Sequence, residues 1–172
     1  VDENGPTQPA AATARVLVEA EQELFRAHRE QGFPAIVLRL AGIYGPGRGY
    51  WMRQFLAGEA RIEGDGGRIL NMIHRDDVAN TAIAVMARGR VGEAYNVVDD
   101  EPVTQLELFR WLATRLGRPL PPVAEATENS GRRRGVTNKR ILNRKLRHEL
   151  GVRLDYPTFR EGYAAELAAM GC

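Results

Sequence analysis

Tyr44-Gly45-Pro46-Gly47-Arg48 is the stretch of this sequence best placed to do chemistry. It follows a short apolar run, Ala35 to Leu40, and the first turn past a strand is where ligands meet open α/β sheets. Tyr44 offers a phenol. Gly45-Pro46-Gly47 breaks the chain there, and Arg48 presents a rigid fork of donors that matches phosphate oxygens. The same residues also read as a plain turn with Tyr44 packed over it. Arg39, just before the loop, either faces a cleft or pairs with a carboxylate. Arg132 and Arg133, with Arg134, form a second basic group that would grip a diphosphate or remain a solvated face. His74 and Asp76 invite an acid/base reading, but Asp76 reads more simply as a helix N-cap and His74 as a boundary residue. His28, His74, His148 and Cys172 have no metal-ligand spacing, so no metal is expected.

These residues need elements to hold them. Residues 10–31 read as a helix, with Val16, Leu17, Ala20, Leu24 and Ala27 at helical spacing, Gly32 closing it and Pro34 preventing continuation. The run 35–40 reads as a strand buried on both faces, which makes helix, glycine turn and strand the pattern of a parallel α/β sheet. Tyr50–Leu56 is expected to be a short helix, Gly64–Gly67 a turn and Arg68–Ile73 a strand. A helix is expected over 76–88 with Val78, Ala82, Val85 and Met86 on its buried side, followed by a strand over 93–98. Thr104-Gln105-Leu106-Glu107 and Thr158-Phe159-Arg160-Glu161 have the form of capping boxes, and Asn143 is placed to cap a short helix ending at Gly151. Trp51, Phe109 and Trp111 read as core or interface anchors.

Composition bounds the class. The 172 residues suffice for one domain with a core, and no apolar run is long enough to span a membrane. A single cysteine at the last position cannot form an internal disulfide, which makes the cytoplasm the default location. The net charge of +2 is too small to argue for nucleic acid, and the basic side chains concentrated between 118 and 150 lack the interleaved aromatics of a single-strand platform. One mismatch stands out. The strand at 35–40 is too apolar for the two or three short strands available to cover it, so a further part of the sheet is expected from upstream or from another chain. Val1-Asp2-Glu3-Asn4 reads as the middle of a longer sequence.

Four segments together resemble the extended short-chain dehydrogenase/reductases, the NAD(P)-dependent epimerase/dehydratase group. They are Arg39 to Gly47 (RLAGIYGPG), Met72 to Ala79 (MIHRDDVA), Ala94 to Val98 (AYNVV) with its Thr-capped helix to Gly117, and the tail from Lys139 through Gly151 to Gly162. The resemblance runs over essentially the whole chain, in order. It implies an α/β fold: a partial Rossmann-type parallel sheet made of the last strands, with a small α/β substrate-binding region. Residues 1–47 would be the C-terminal part of the Rossmann domain and 48–172 mainly the substrate region, strand 93–98 returning to the sheet. It implies NAD or NADP as cofactor of the intact parent, a nucleotide-linked or other small-molecule substrate, and Tyr44, Gly45 and Pro46 beside the nicotinamide end of the cofactor. The helix at 10–31 would pack between subunits, as in many family dimers.

The sequence departs from the family at two places. Counting back from the acidic pair Glu19 and Glu21, Thr13 and Leu17 stand where the family has its catalytic Tyr and Lys. Threonine is too weak an acid to replace a phenol, and leucine lowers no pKa. The Gly-rich phosphate turn at a strand-to-helix junction is absent, and Gly64-Asp65-Gly66-Gly67 does not replace it. Two readings follow. In one, the chain is the C-terminal portion of an NAD(P)-binding epimerase/dehydratase-like protein, not catalytic by itself, partnered by the missing N-terminal half. In the other it is a non-catalytic dimeric binding module that completes its sheet with a second copy. A catalyst built on Tyr44 or Asp76 is the third alternative.

Overall fold

The computed structural model describes residues 1–9, 11–124 and 138–171. The chain opens with helix α1 (Ala12–Gln31), which ends at Gly32 in the left-handed conformation (φ 68°), as the Gly-then-Pro signal requires. Strands β1 (Val37–Leu40) and β2 (Gly42–Tyr44) follow as one extended run broken at Ala41. Helix α2 spans Tyr50–Leu56, strands β3 Ile69–Leu70 and β4 Met72–His74, and helix α3 Arg75–Arg88. Then come β5 (Ala94–Val97), β6 (Val103–Thr104), α4 (Gln105–Leu116), α5 (Arg144–Leu150) and α6 (Phe159–Ala169).

The extended run changes neighbour at its break. β1 pairs in parallel with β5, Val37 opposite Ala94, and β2 pairs in parallel with β4, Tyr44 opposite His74. Ala41 donates to the Val97 carbonyl, Gly42 to that of Asn71, and Asp99 to that of Met72, so the two pairs form one continuous layer. β3 and β6 add a short antiparallel ribbon. One apolar cluster lies among α2, α4 and α6, with Phe55, Leu108, Phe109, Leu112, Phe159 and Leu167 at its centre. A second, with Ile73, Val85, Tyr95, Val97, Leu146 and Leu150, lies between the strands and α3 and α5.

Both capping boxes form. The hydroxyl of Thr104 accepts from Glu107 N–H and that of Thr158 from Arg160 N–H, while the Glu107 and Glu161 carboxylates reach back to the cap residues. Four other expectations are corrected. The strand at 35–40 is not buried on both faces: residues 36–39 are half-buried and Leu40 is 44% exposed, because β5 is the one hydrogen-bonded neighbour of β1 among the described strands. Residues 68–73 divide into β3 and β4 at Asn71, whose amide bonds the Lys139 carbonyl and Ile141 N–H and so turns the chain from one partner to another. On α3 the buried line is Asp77, Thr81 and Val85, while Met86 is 88% exposed. The helix rotates toward Asp77 because that carboxylate binds the backbone at 155–156, a requirement that apolar periodicity does not register. Asn143 precedes α5 without capping it. Its amide donates to the Val98 carbonyl and to Asp100 instead.

Candidate functional site

Parallel pairing brings the ends of β2 and β4 together, so Tyr44 and His74 sit side by side, rings edge-on at 5.3 Å between centroids. Both are buried. The Tyr44 hydroxyl donates to the Thr158 carbonyl (3.3 Å), and its ring meets that of Tyr163 at 4.7 Å. Gly162 makes this possible. A Cβ there would lie 2.4 Å from the Tyr44 hydroxyl oxygen, so only glycine lets α6 approach the phenol.

His74, rather than Asp76, caps α3. Its Nδ1 accepts the Asp76 N–H (3.3 Å), and its ring lies on Tyr156 at 3.8 Å. Accepting through Nδ1 leaves the ring proton on Nε2 of a neutral imidazole. Burial lowers the His74 pKa, in keeping with that state. The nearby Asp76 carboxylate, 3.7 Å from Nδ1, would form an ion pair only with the protonated ring. Asp77, one position on, is fully buried and accepts from Asp155 N–H (2.7 Å) and Tyr156 N–H (3.0 Å). Desolvation raises its pKa, against those two hydrogen bonds. Asp99, just past β5, is also buried. One oxygen accepts from Glu101 N–H and the other has no partner among the described residues, and burial pushes its pKa up to about 8. Burial, then the nearby Asp99 carboxylate, raises the Tyr44 phenol far above its ordinary value. A phenol so placed is a weaker acid than a solvated one, and its hydroxyl is engaged with the Thr158 carbonyl.

The loop after Tyr44 closes on itself. Gly45 and Arg48 exchange both backbone hydrogen bonds, and the Arg75 guanidinium holds the Pro46 carbonyl (2.6 Å). Gly45 has φ 136°, and a Cβ there would lie 2.9 Å from His74 Nε2, so its type is fixed by conformation and by space. Pro46, Gly47 and Arg48 are exposed. They form one wall of a cavity of about 520 Å³ completed by α2 and the end of α6, including Met52, Arg53, Leu56, Glu166 and Met170. Arg39 lies elsewhere. It makes a two-pronged ion pair with Glu21 of α1, Nε to Oε2 at 3.0 Å, and donates to the Glu3 carbonyl. That contact raises its pKa further and ties α1 to β1. Arg132 and Arg133 lie outside the described residues. Among the described residues no group of three or more His, Cys, Asp or Glu gathers as metal ligands.

The backbone groups of Gly45 and Arg48 are spent on each other, Tyr44 is buried, and what remains facing outward is Pro46, Gly47 and the Arg48 side chain. Thr13 and Leu17 are both exposed, one turn apart on α1.

Sequence reasoning passed over Asp77, Asp99, Glu166, Tyr163 and Gly162 as site residues. Asp77 had a signal, since two aspartates open α3 and a dipole needs only one. Asp99 and Glu166 had none, because an acid beside a strand or on a helix is ordinarily solvated.

The NAD dependent epimerase/dehydratase family model matches residues 1–98. A functionally unknown conserved protein of Silicibacter pomeroyi is 39% identical in sequence and superposes with a TM-score of 0.85, over 98% of this chain and 60% of that one. Protein YeeZ of Escherichia coli K12 is 31% identical over 91% of this chain and 53% of its own length. The fold is also that of the dTDP-glucose 4,6-dehydratase DesIV of Streptomyces venezuelae, solved with NAD bound. It is 24% identical, with a TM-score of 0.78, over 98% of this chain and 53% of that chain. The chain thus spans about half the length of the relatives it matches.

Proposed function

The chain belongs to the NAD-dependent epimerase/dehydratase family, and from that premise we propose that it is the substrate-side half of an NAD(P)-binding, nucleotide-sugar epimerase/dehydratase-like protein, without catalytic power of its own. One observation carries this reading. α1 is a 20-residue helix in which no residue is buried, and the Glu21–Arg39 ion pair ties it to a parallel strand that has one hydrogen-bonded neighbour among the described strands. Val16, Leu17 and Leu24 are exposed on that helix, and Leu40 is exposed on that strand. Buried apolar surface is what holds such an α/β layer together, so this layer is half of an interface. The dinucleotide-binding half of the fold, with its phosphate turn, is the complement that fits.

In this role Pro46, Gly47 and Arg48 form the wall of the cleft, and Arg48, with Arg132 and Arg133, meets the phosphates of a nucleotide-linked substrate. When bound, NAD(P) supplies the hydride acceptor. The chain's own contribution is to bind and orient the substrate. Thr13 and Leu17, on the exposed face of α1, hold no proton that could be moved near neutral pH. A second reading rests on the same stripe of α1: two copies of the chain cover each other's apolar face and act as a binding module.

The test is a fluorescence titration of NADH and NADPH onto this chain and onto a chain extended upstream by the dinucleotide half. Binding to the extended chain alone is expected. No binding by the extended chain would overturn the cofactor role, and a stable dimer of the 172-residue chain in sedimentation would favour the second reading.

A further inference from the structure

Two buried polar atoms on one side of α6 have no partner among the described residues: the Tyr163 hydroxyl and Oε2 of Glu166. They are one helical turn apart and therefore share a face. Tyr163 is fully buried, and a Cβ built on Gly49, which lines the 520 Å³ cavity, would lie 4.0 Å from its hydroxyl. Glu166 lines the same cavity. Leaving a buried acceptor unpaired costs on the order of 1–3 kcal/mol, which a ligand's donor would offset. The rest of the wall is largely apolar: Pro46, Met52, Leu56, Ala169 and Met170. At the rim stand Arg48 and Arg53, both exposed and neither in an ion pair with a described residue.

We propose that this cavity binds a small amphipathic anion: an apolar body against Met52, Leu56 and Met170, an anionic head at Arg48 and Arg53, and a hydroxyl or N–H donor directed at Glu166. Two polar anchors at different depths with apolar wall between them select that class. A free sugar, hydroxylated on every carbon, would leave most of its hydroxyls facing methyl and methylene groups. A simple alkyl ammonium would be repelled by the two arginines as it entered. The cavity is large enough for a six-carbon body with two polar ends and leaves room beyond it. Burial raises the Glu166 pKa, with the positive charge of Arg75 opposing. The site is formed within this chain and shares Arg48 with the nucleotide role proposed above, so the two ligands would exclude each other there.

The four methionines make the test direct. Met52 and Met170 line the cavity, Met72 is packed in the core and Met86 is exposed on α3. In the full natural chain labelled with ¹³C at the methionine methyls, 6-hydroxyhexanoate is expected to shift the Met52 and Met170 signals and leave Met72 and Met86 in place. Hexanoate and 1,6-hexanediol, each lacking one anchor, are expected to bind at least fivefold more weakly. Glu166→Leu should bring 6-hydroxyhexanoate to within twofold of hexanoate. Joint Arg48→Gln and Arg53→Gln substitution should weaken it tenfold or more and leave the diol unchanged, with the Met72 and Met86 signals certifying the fold of each variant. Shifts by none of the three probes, equal shifts of all four methyls, or no change on Glu166→Leu would each overturn the proposal. If uridine diphosphate alone moved Met52 and Met170, the cavity would be part of a nucleotide site; the proposal would fail while the family reading stood.

Discussion

The region around Tyr44 and the layer formed by α1 and β1 use their residues in opposite ways. Around Tyr44, four elements converge on a few side chains, and each is fixed more than once. Tyr44 is bonded to the 158 carbonyl, flanked by two aromatic rings and closed over by Gly162; Asp77 holds the backbone at 155 and 156. In α1 and β1, one ion pair, Arg39 to Glu21, is the main side-chain tie, and α1 buries no residue. The first region is finished within the chain and the second is open.

The comparison breaks most severely at Asp77. Asp77→Ala removes the acceptor of two backbone amides and should destabilise this chain by roughly 2–4 kcal/mol in urea unfolding. An effect under about 0.5 kcal/mol would mean that the anchor at 155–156 is not needed. Gly162→Ala comes next. Its added methyl overlaps the Tyr44 phenol, and a cost of about 1–3 kcal/mol is expected with loss of the near-UV signal of the packed tyrosines. No thermal shift and an unchanged spectrum would show that α6 gives way easily.

Asp99 sharpens the contrast through pH. Its folded pKa, pushed up to about 8, lies above its unfolded value near 3.8, so between these pH values the folded state holds the proton more tightly than the unfolded one. Its contribution to stability is fully present below about pH 4 and is lost as pH rises to about 8. Asp99→Asn should leave stability near pH 4 unchanged and raise Tm at pH 8, each kcal/mol recovered appearing as about 2–4 °C. Parallel Tm–pH curves for the two proteins would refute the assignment. The smallest effect is expected on the open face. Leu17→Glu, at a 72% exposed position, should change the stability of this chain by less than about 0.5 kcal/mol and yet abolish docking of the dinucleotide half in a pull-down. Docking that survives the charge would place the interface elsewhere.

Much of the local structure was legible without coordinates. The αL glycines at 32, 117 and 151, the capping boxes at Thr104 and Thr158 and the order of helix, turn and strand depend on neighbouring residues, and the structure has them where the spacing put them. The family was legible because its segments keep their order. What periodicity misjudged was burial: Met86 reads as core and is exposed, and Asp77 reads as a helix-end charge and is buried. A hydrophobic pattern counts apolar types, whereas the face of α3 is chosen by one carboxylate and the two distant amides it meets.

The same division holds for the molecule as a whole. By itself the sequence determined the elements and their ends, since caps, glycine conformations and strand propensity act within a few residues. It also determined that residues 10–20 contain no Tyr and no Lys, because that is a matter of residue type alone. Tertiary structure decided which side chains meet: Tyr44 with Gly162, Asp77 with the backbone at 155, Arg39 with Glu21, and Glu166 with the wall of a cavity. Tyr44 and Gly162 are separated by 118 positions in the sequence, and nothing local to either member specifies the other.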